Sequence, residues 1–194
     1  MVRFDLSSRL LAASFLGCCL LAAPLYSAHA QMGDAKPAVG TKVSPADSYG
    51  KLLSGMEKEF VDLAEAMPED KYSFAPTAGE FKGVRTFGDQ VKHIAEANYY
   101  FFGSDMSEAQ MKAMSDKITA LKSKADILAA LKDSFGVAHK YIAAITDAND
   151  FVMTAHGTPG GQAAFGIAHL MDHYGQMVVY ARMSGIVPPA SRGN

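Results

Sequence analysis

Cysteine is almost missing from this chain. Among 194 residues there are two, Cys18 and Cys19, side by side near the N-terminus. Both lie in a stretch that reads as an export signal. The remainder therefore has no thiol, which excludes cysteine nucleophiles, thiolate metal sites and disulfide staples together. Positive charge is not in surplus either. Eighteen Lys and Arg face twenty Asp and Glu, for a net charge of −2. Loss of Arg3, Arg9 and Asp5 with the signal makes the rest one charge more negative. Such a balance gives no electrostatic footprint for nucleic acid or an anionic membrane. There is no internal repeat and no low-complexity tract. The pair Gly160-Gly161 is not a phosphate loop, because no strand precedes it and no GxxxxGK pattern follows.

A long membrane-spanning run is also lacking. The most apolar stretch, "LLAASFLGCCLLAAPLY", is broken by Pro24 and falls short of the ~20 residues a span needs. Arg3 and Arg9 precede it and "AHA" at 28–30 follows. That order reads as a signal peptide over residues 1–30, cleaved after Ala30. Two competing readings are a retained N-terminal anchor and a lipoprotein box at "FLGC", where Phe15 stands in place of the usual Leu. The expected location is periplasmic or secreted. Residues 31–43 carry Gly and Pro without apolar periodicity and read as a flexible leader. Residues 44–190 suit one domain with a real core.

Within that domain the pattern is helical. Ser44-Pro45 is a cap followed by proline at the first helical position, and Tyr49, Leu52, Leu53, Met56, Phe60 and Leu63 recur at helical spacing up to Pro68. A second helix is expected from Thr86 to about Phe102, closed by Gly103. "SEAQMKAMSDKITA" reads as a short helical connection. A third long helix starts at Ser123, with a stripe of Ile127, Leu131, Phe135, Ala138, Ile142 and Ile145. A fourth runs from about Gln162 to Ser184, closed by Gly185. The only strand-like stretch is the short "DFVMTA". Four amphipathic helices and no sheet signal specify an all-α four-helix bundle.

Two histidines, His169 and His173, stand four apart in "AHLMDHYGQM". At about 100° per residue they share one face of the fourth helix, with Gln176 and Tyr180 farther along the stripe. The second helix carries His93 among apolar neighbours, with Asp89 one turn before it and Ala97 one turn after. A small residue at 97 leaves room beside the ring. A carboxylate at 89 is placed to accept the second ring N–H and fix the tautomer. Three imidazoles from two helices can hold one divalent ion, and Zn, Ni and Fe all accept such ligands. Three protein ligands leave a coordination position open, which is the pattern of a catalytic site. The plain alternative is a set of packed histidines hydrogen-bonded to backbone or solvent.

Other residues have weaker signals. Glu96 is a general base if it turns inward and otherwise part of a solvated face. His156, in the loop before the last helix, is a proton shuttle or lid residue if that loop folds over the bundle end, and otherwise solvated. Tyr100 and Tyr180 fall near the directions of His93 and His169 and read as core aromatics whose hydroxyls find polar partners. Gln176 is placed to support His173. His139 reads as a flank histidine.

The stretches "RTFGDQVKHIAEANYYFFG", "IAHLMDHYGQMVVYARMSGIVPP" and "MPEDKYSFAPTAGEF" together resemble the DinB-like family, over about residues 45–190. The last helix carries its HxxxHxxQ pattern, followed by aromatic-Ala-Arg and Gly-x-x-Pro-Pro. The resemblance implies an up-down-down-up bundle, a metal triad of His93, His169 and His173, and a homodimer formed through the bundle faces. It also implies thiol-dependent transferase or isomerase chemistry. The export signal departs from that picture, since low-molecular-weight thiols are scarce outside the cytoplasm. The expectation is a divalent-metal enzyme, a hydrolase or transferase acting on an unidentified small molecule, with a non-catalytic exported binding or interaction module as the alternative.

Overall fold

The computed structural model describes residues 37–193. The signal-peptide and cleavage assignments, the anchor alternative and most of the leader lie outside the described residues. The chain divides into two units, Met1–Thr41 and Lys42–Asn194. The described end of the first holds one turn, closed by Thr41 N–H donating to the Ala38 carbonyl at 3.0 Å. The second is the helical domain.

Five α-helices make up that domain: α1 (Pro45–Ala66), α2 (Phe87–Phe102), α3 (Glu108–Ala120), α4 (Lys124–Ala143) and α5 (Pro159–Met183). Among the described residues there is no strand. "DFVMTA" folds as turns, with one isolated bridge between Thr154 and Gly157. No described helix is long and apolar enough to cross a membrane. Each helix starts on a hydroxyl cap. Ser44, Thr86, Ser107, Ser123 and Thr158 each accept a backbone N–H three residues on, which satisfies a donor the helix itself leaves orphaned.

Side-chain contacts fix the helix directions. On α1 and α4, Glu65 pairs with Lys132 and Glu57 with His139, so these two run antiparallel. On α2 and α4, Asn98 meets Ser134 and Phe102 meets Tyr141, so these run parallel. Gln90 meets His173 and Phe101 meets Phe165, so α2 and α5 are antiparallel. The bundle of α1, α2, α4 and α5 is therefore up-down-down-up. Its core holds Leu53, Phe60, Leu63, Phe87, Ile94, Leu131, Phe135, Ile142, Leu170 and Met177, all nearly or fully buried. Each such side chain contributes roughly 1.5–3 kcal/mol on leaving water. The apolar stripe of α4 is buried as its spacing requires, from Ile127 through Ile142 to Ile145 just past the helix end.

Two details depart from the sequence expectation. Helix α5 starts at Pro159, three residues before Gln162, because Thr158 caps it and Pro159 takes the first position. The glycine pair is thus helical, for a packing reason. A Cβ on Gly160 would lie 2.0 Å from the Asp150 Oδ1 atom and 2.7 Å from the Tyr49 hydroxyl. The connection at 108–120 is a full helix with a capping box between Ser107 and Gln110. It packs on α2 and buries only Ile118, so it lies on the bundle as a fifth, outer element.

Candidate metal centre

Helix α2 is held at its start by the preceding loop. Phe87 N–H donates to the Phe74 carbonyl and Gly88 N–H to the Tyr72 carbonyl, each at 2.8 Å. The Tyr72 hydroxyl in turn donates to the Ala64 carbonyl of α1 at 2.8 Å. The register of α2 against the bundle is thereby set, and with it the height of Gln90 and His93. Farther along, a Cβ on Gly166 of α5 would lie 2.4 Å from the Phe102 ring. Glycine there lets the two helices close on each other beside the histidines.

The three predicted ligands converge. Ring centroids are 5.2 Å apart for His93 and His169, 4.6 Å for His93 and His173, and 4.5 Å for His169 and His173. One ligating nitrogen from each lies within 4.8 Å of the others. A tetrahedral ion at ~2.0–2.1 Å from each nitrogen brings them to roughly 3.4 Å. A small side-chain rotation of the half-buried His93 and His169 closes that difference, while His173 is buried and held.

The hold on His173 is a chain of side-chain hydrogen bonds whose direction one carboxylate dictates. Asp172 only accepts, so Gln176 donates to it through Nε2 at 3.0 Å. The Gln176 carbonyl then accepts from Gln90 Nε2 at 2.9 Å. This leaves the Gln90 carbonyl facing His173 Nδ1 at 2.6 Å. An oxygen there requires Nδ1 to carry the proton, so Nε2 is the nitrogen free to bind an ion. Gln176 supports His173 as expected, but through Gln90, which sequence reading overlooked. The signal was present: Gln90 is a buried amide one turn before His93 on an otherwise apolar face.

Electrostatics keep the imidazoles neutral. Burial, then the charge of Arg85, then the other two histidines push the His93 pKa down to about 4. Burial and His169 push His173 to about 4 as well, with Asp172 opposing and Arg85 adding to the fall. His169 is lowered by burial and by Arg85, against Asp172. Neutral imidazole is the form that ligates metal.

The other candidates fall elsewhere. Asp89 does not serve His93. Its carboxylate accepts from the Thr86 hydroxyl at 2.7 Å and pairs with Lys92 at 2.8 Å. Burial works against its charge, but those two partners outweigh it and hold the carboxyl below its usual range. A capping acid at this position is drawn to the helix start rather than to the next turn. Tyr100 is not a core aromatic: it is 73% exposed and lies in the wall of the open cavity between α2 and α3. Tyr180 is buried, edge-on to Phe74 at 5.8 Å. Glu96 points toward α3, where its carboxylate accepts from Thr119 at 2.7 Å and Ser115 at 3.3 Å. His156 sits exposed in a tight turn, its backbone N–H bonded to the Thr154 hydroxyl. His139 lies between α4 and α1, 2.6 Å from Glu57, and takes no part in the cluster.

A cavity of about 520 Å³ opens beside the cluster. His93 and His169 form part of its wall, and Ala97, Tyr100, Phe101 and Met111 form much of the rest. The small residue one turn after His93 does leave space beside that ring.

Residues 52–177 match the DinB superfamily. The chain belongs to this superfamily. Among solved structures it is similar to an uncharacterised protein from Escherichia coli UTI89, at 15% identity and a TM-score of 0.58. That match covers 73% of this chain and 95% of the other, and it shows the shared fold. No curated protein matches. The DinB-like sequence pattern, the bundle topology and the three-histidine cluster thus coincide in one chain, and the set is compatible with metal binding.

Proposed function

We propose that this DinB-superfamily chain is an exported metal-dependent enzyme, holding one divalent transition ion, Zn, Ni or Fe, on His93, His169 and His173. The observation that carries the reading is the convergence of three ring nitrogens within 4.8 Å at the wall of a cavity. An ion bound there supplies Lewis acidity toward a carbonyl, a thiol or a water molecule. The protein's own part is orientation and exclusion. Gln90 holds His173 in one tautomer, burial keeps the rings unprotonated, and Phe101 packs on His169 in an edge-to-face pair with ring centroids 5.2 Å apart. Of the two carboxylates in the cavity wall, Glu96 and Asp116, Asp116 is paired with Lys112, and Glu96 is the candidate proton acceptor.

One observation favours the second reading, a binding module without turnover. The Glu96 carboxylate is turned to α3, where its Oε1 already accepts from two hydroxyls, rather than to the histidines. A second copy is the expected protein partner. Exposed Phe165, Val179 and Met183 lie on one stripe of α5 and supply an apolar face for it.

Elemental analysis of residues 31–194, purified without a histidine tag or chelator, tests the metal reading. About one ion per chain is expected, and none in a His93/His169/His173 triple alanine. Full occupancy retained in His169→Ala would sink the triad.

A further inference from the structure

The cavity lies between α2 and α3, and its chemistry says what it takes. At about 520 Å³ it falls in the range of small-molecule pockets. Its walls are apolar and adaptable: Ala97, Tyr100 and Phe101 come from α2, and Met111 and Met114 from α3. Methionine conforms to varied shapes and aromatic faces favour stacked rings. Tyr100 is the most exposed aromatic of the wall, at 73%, and is left uncovered by the protein itself.

The one cation of the wall is paired, Lys112 with Asp116 at 2.7 Å, while Glu96 keeps its negative charge and accepts from the Ser115 and Thr119 hydroxyls. No free cation in the wall calls for an anionic ligand body, and a divalent ion on the histidines would repel a cationic one. The polar end of the cavity is the pair His93 and His169. Helix α3 rests on the bundle through α2 and buries only Ile118, so its methionines can adjust without disturbing the core.

We propose that this cavity is the ligand pocket of the three-histidine site, and that it takes an uncharged small molecule with an aromatic or branched alkyl body. The ligand's donor atom, a nitrogen or oxygen, faces His93 and His169. The inference rests on the metal reading above and adds the ligand class.

The test uses the cobalt-loaded protein and two probes, imidazole and 4-phenylimidazole, titrated by the change in the cobalt absorption bands. Both present the same donor nitrogen, and only one carries a ring for the cavity. The phenyl group is expected to tighten binding by about tenfold or more, from the apolar area it buries. Ala97→Leu, which fills the cavity beside His93, should abolish that advantage while imidazole binds as before. Met111→Trp fills it from α3, away from the bundle core, and should do the same. Equal affinity of the two probes in the wild-type protein overturns the pocket and leaves the metal site standing. A phenyl advantage that survives both variants overturns it too. Failure of cobalt to bind at all removes the metal reading, and the pocket's role with it.

Discussion

The side-chain carbonyl of Gln90 lies 2.6 Å from Nδ1 of His173, across the α2–α5 contact. This bond joins the two halves of the candidate site, because His93 sits one turn beyond Gln90 on the same helix. It also sets which nitrogen of His173 is free. Replacing Gln90 by Leu removes the acceptor and leaves the Gln176 carbonyl without its donor. Metal affinity is expected to fall by roughly 10–100-fold, the usual loss when the partner behind a ligating histidine is removed. Gln90→Glu keeps an acceptor oxygen and should hold affinity much nearer wild type. Competition titration against a chromophoric chelator measures both. Equal affinities for Gln90→Leu and wild type would remove Gln90 from the site.

The metal-free protein should lose stability as pH falls through a defined window. His93 and His173 have folded pKa values of about 4, against an ordinary value of 6.5. Above about 6.5 both folded and unfolded chains carry neutral rings, so the difference contributes nothing adverse. Between 6.5 and 4 the unfolded chain takes up protons that the folded chain refuses, and the balance moves toward unfolding. The urea midpoint of chelator-treated protein, measured from pH 7.5 to 4.5, should drop mainly below 6.5. His93→Ala/His173→Ala should flatten the curve over the same range. A wild-type curve already flat there would contradict the neutral, buried state of these rings.

Arg85 lowers the pKa of all three histidines. It is exposed, and it pairs with no acid among the described residues. The same positive charge opposes a divalent cation. Arg85→Gln should therefore tighten metal binding, by roughly two- to fivefold at low salt, with the gain shrinking in 0.5 M salt as screening sets in. Affinities of the two proteins at both salt levels check this. A gain that ignores salt would point to a steric cause instead.

The parts of this architecture readable from sequence are those with local causes. Helix starts follow from Ser44-Pro45, Thr86 and Ser123, and the buried stripe of α4 follows from period alone. His93, His169 and His173 were legible because a polar stripe on an apolar helix requires partners. What sequence hid depends on contacts between distant segments. The need for glycine at 160 turns on Asp150 and Tyr49, which leave no room for a Cβ there. Asp89, expected behind His93, serves the helix start instead, while its neighbour Gln90, overlooked in the sequence, holds His173, because helical spacing does not show which neighbour an opposing helix will meet. Tyr100 and Glu96 were misplaced for the same reason: α3, read as a mere connection, decides their surroundings.

Gly166 offers a test of how packing supports the site. A Cβ there would stand 2.4 Å from the tip of the Phe102 ring, well inside contact distance. Phe102 is buried, edges onto Phe101 at 6.4 Å, and Phe101 in turn covers His169. In Gly166→Ala either the ring swings away or α2 and α5 separate. Overpacking of this kind costs roughly 1–3 kcal/mol, even though alanine is the better helix former by about 1 kcal/mol. A net loss of stability in urea is expected, together with weaker metal binding, since the separation moves His93 away from His169 and His173. The companion variant Phe102→Leu in the Gly166→Ala background relieves the clash and should recover part of both losses. If Gly166→Ala alone proved more stable than wild type, the close approach of these helices would not be what glycine is there to allow.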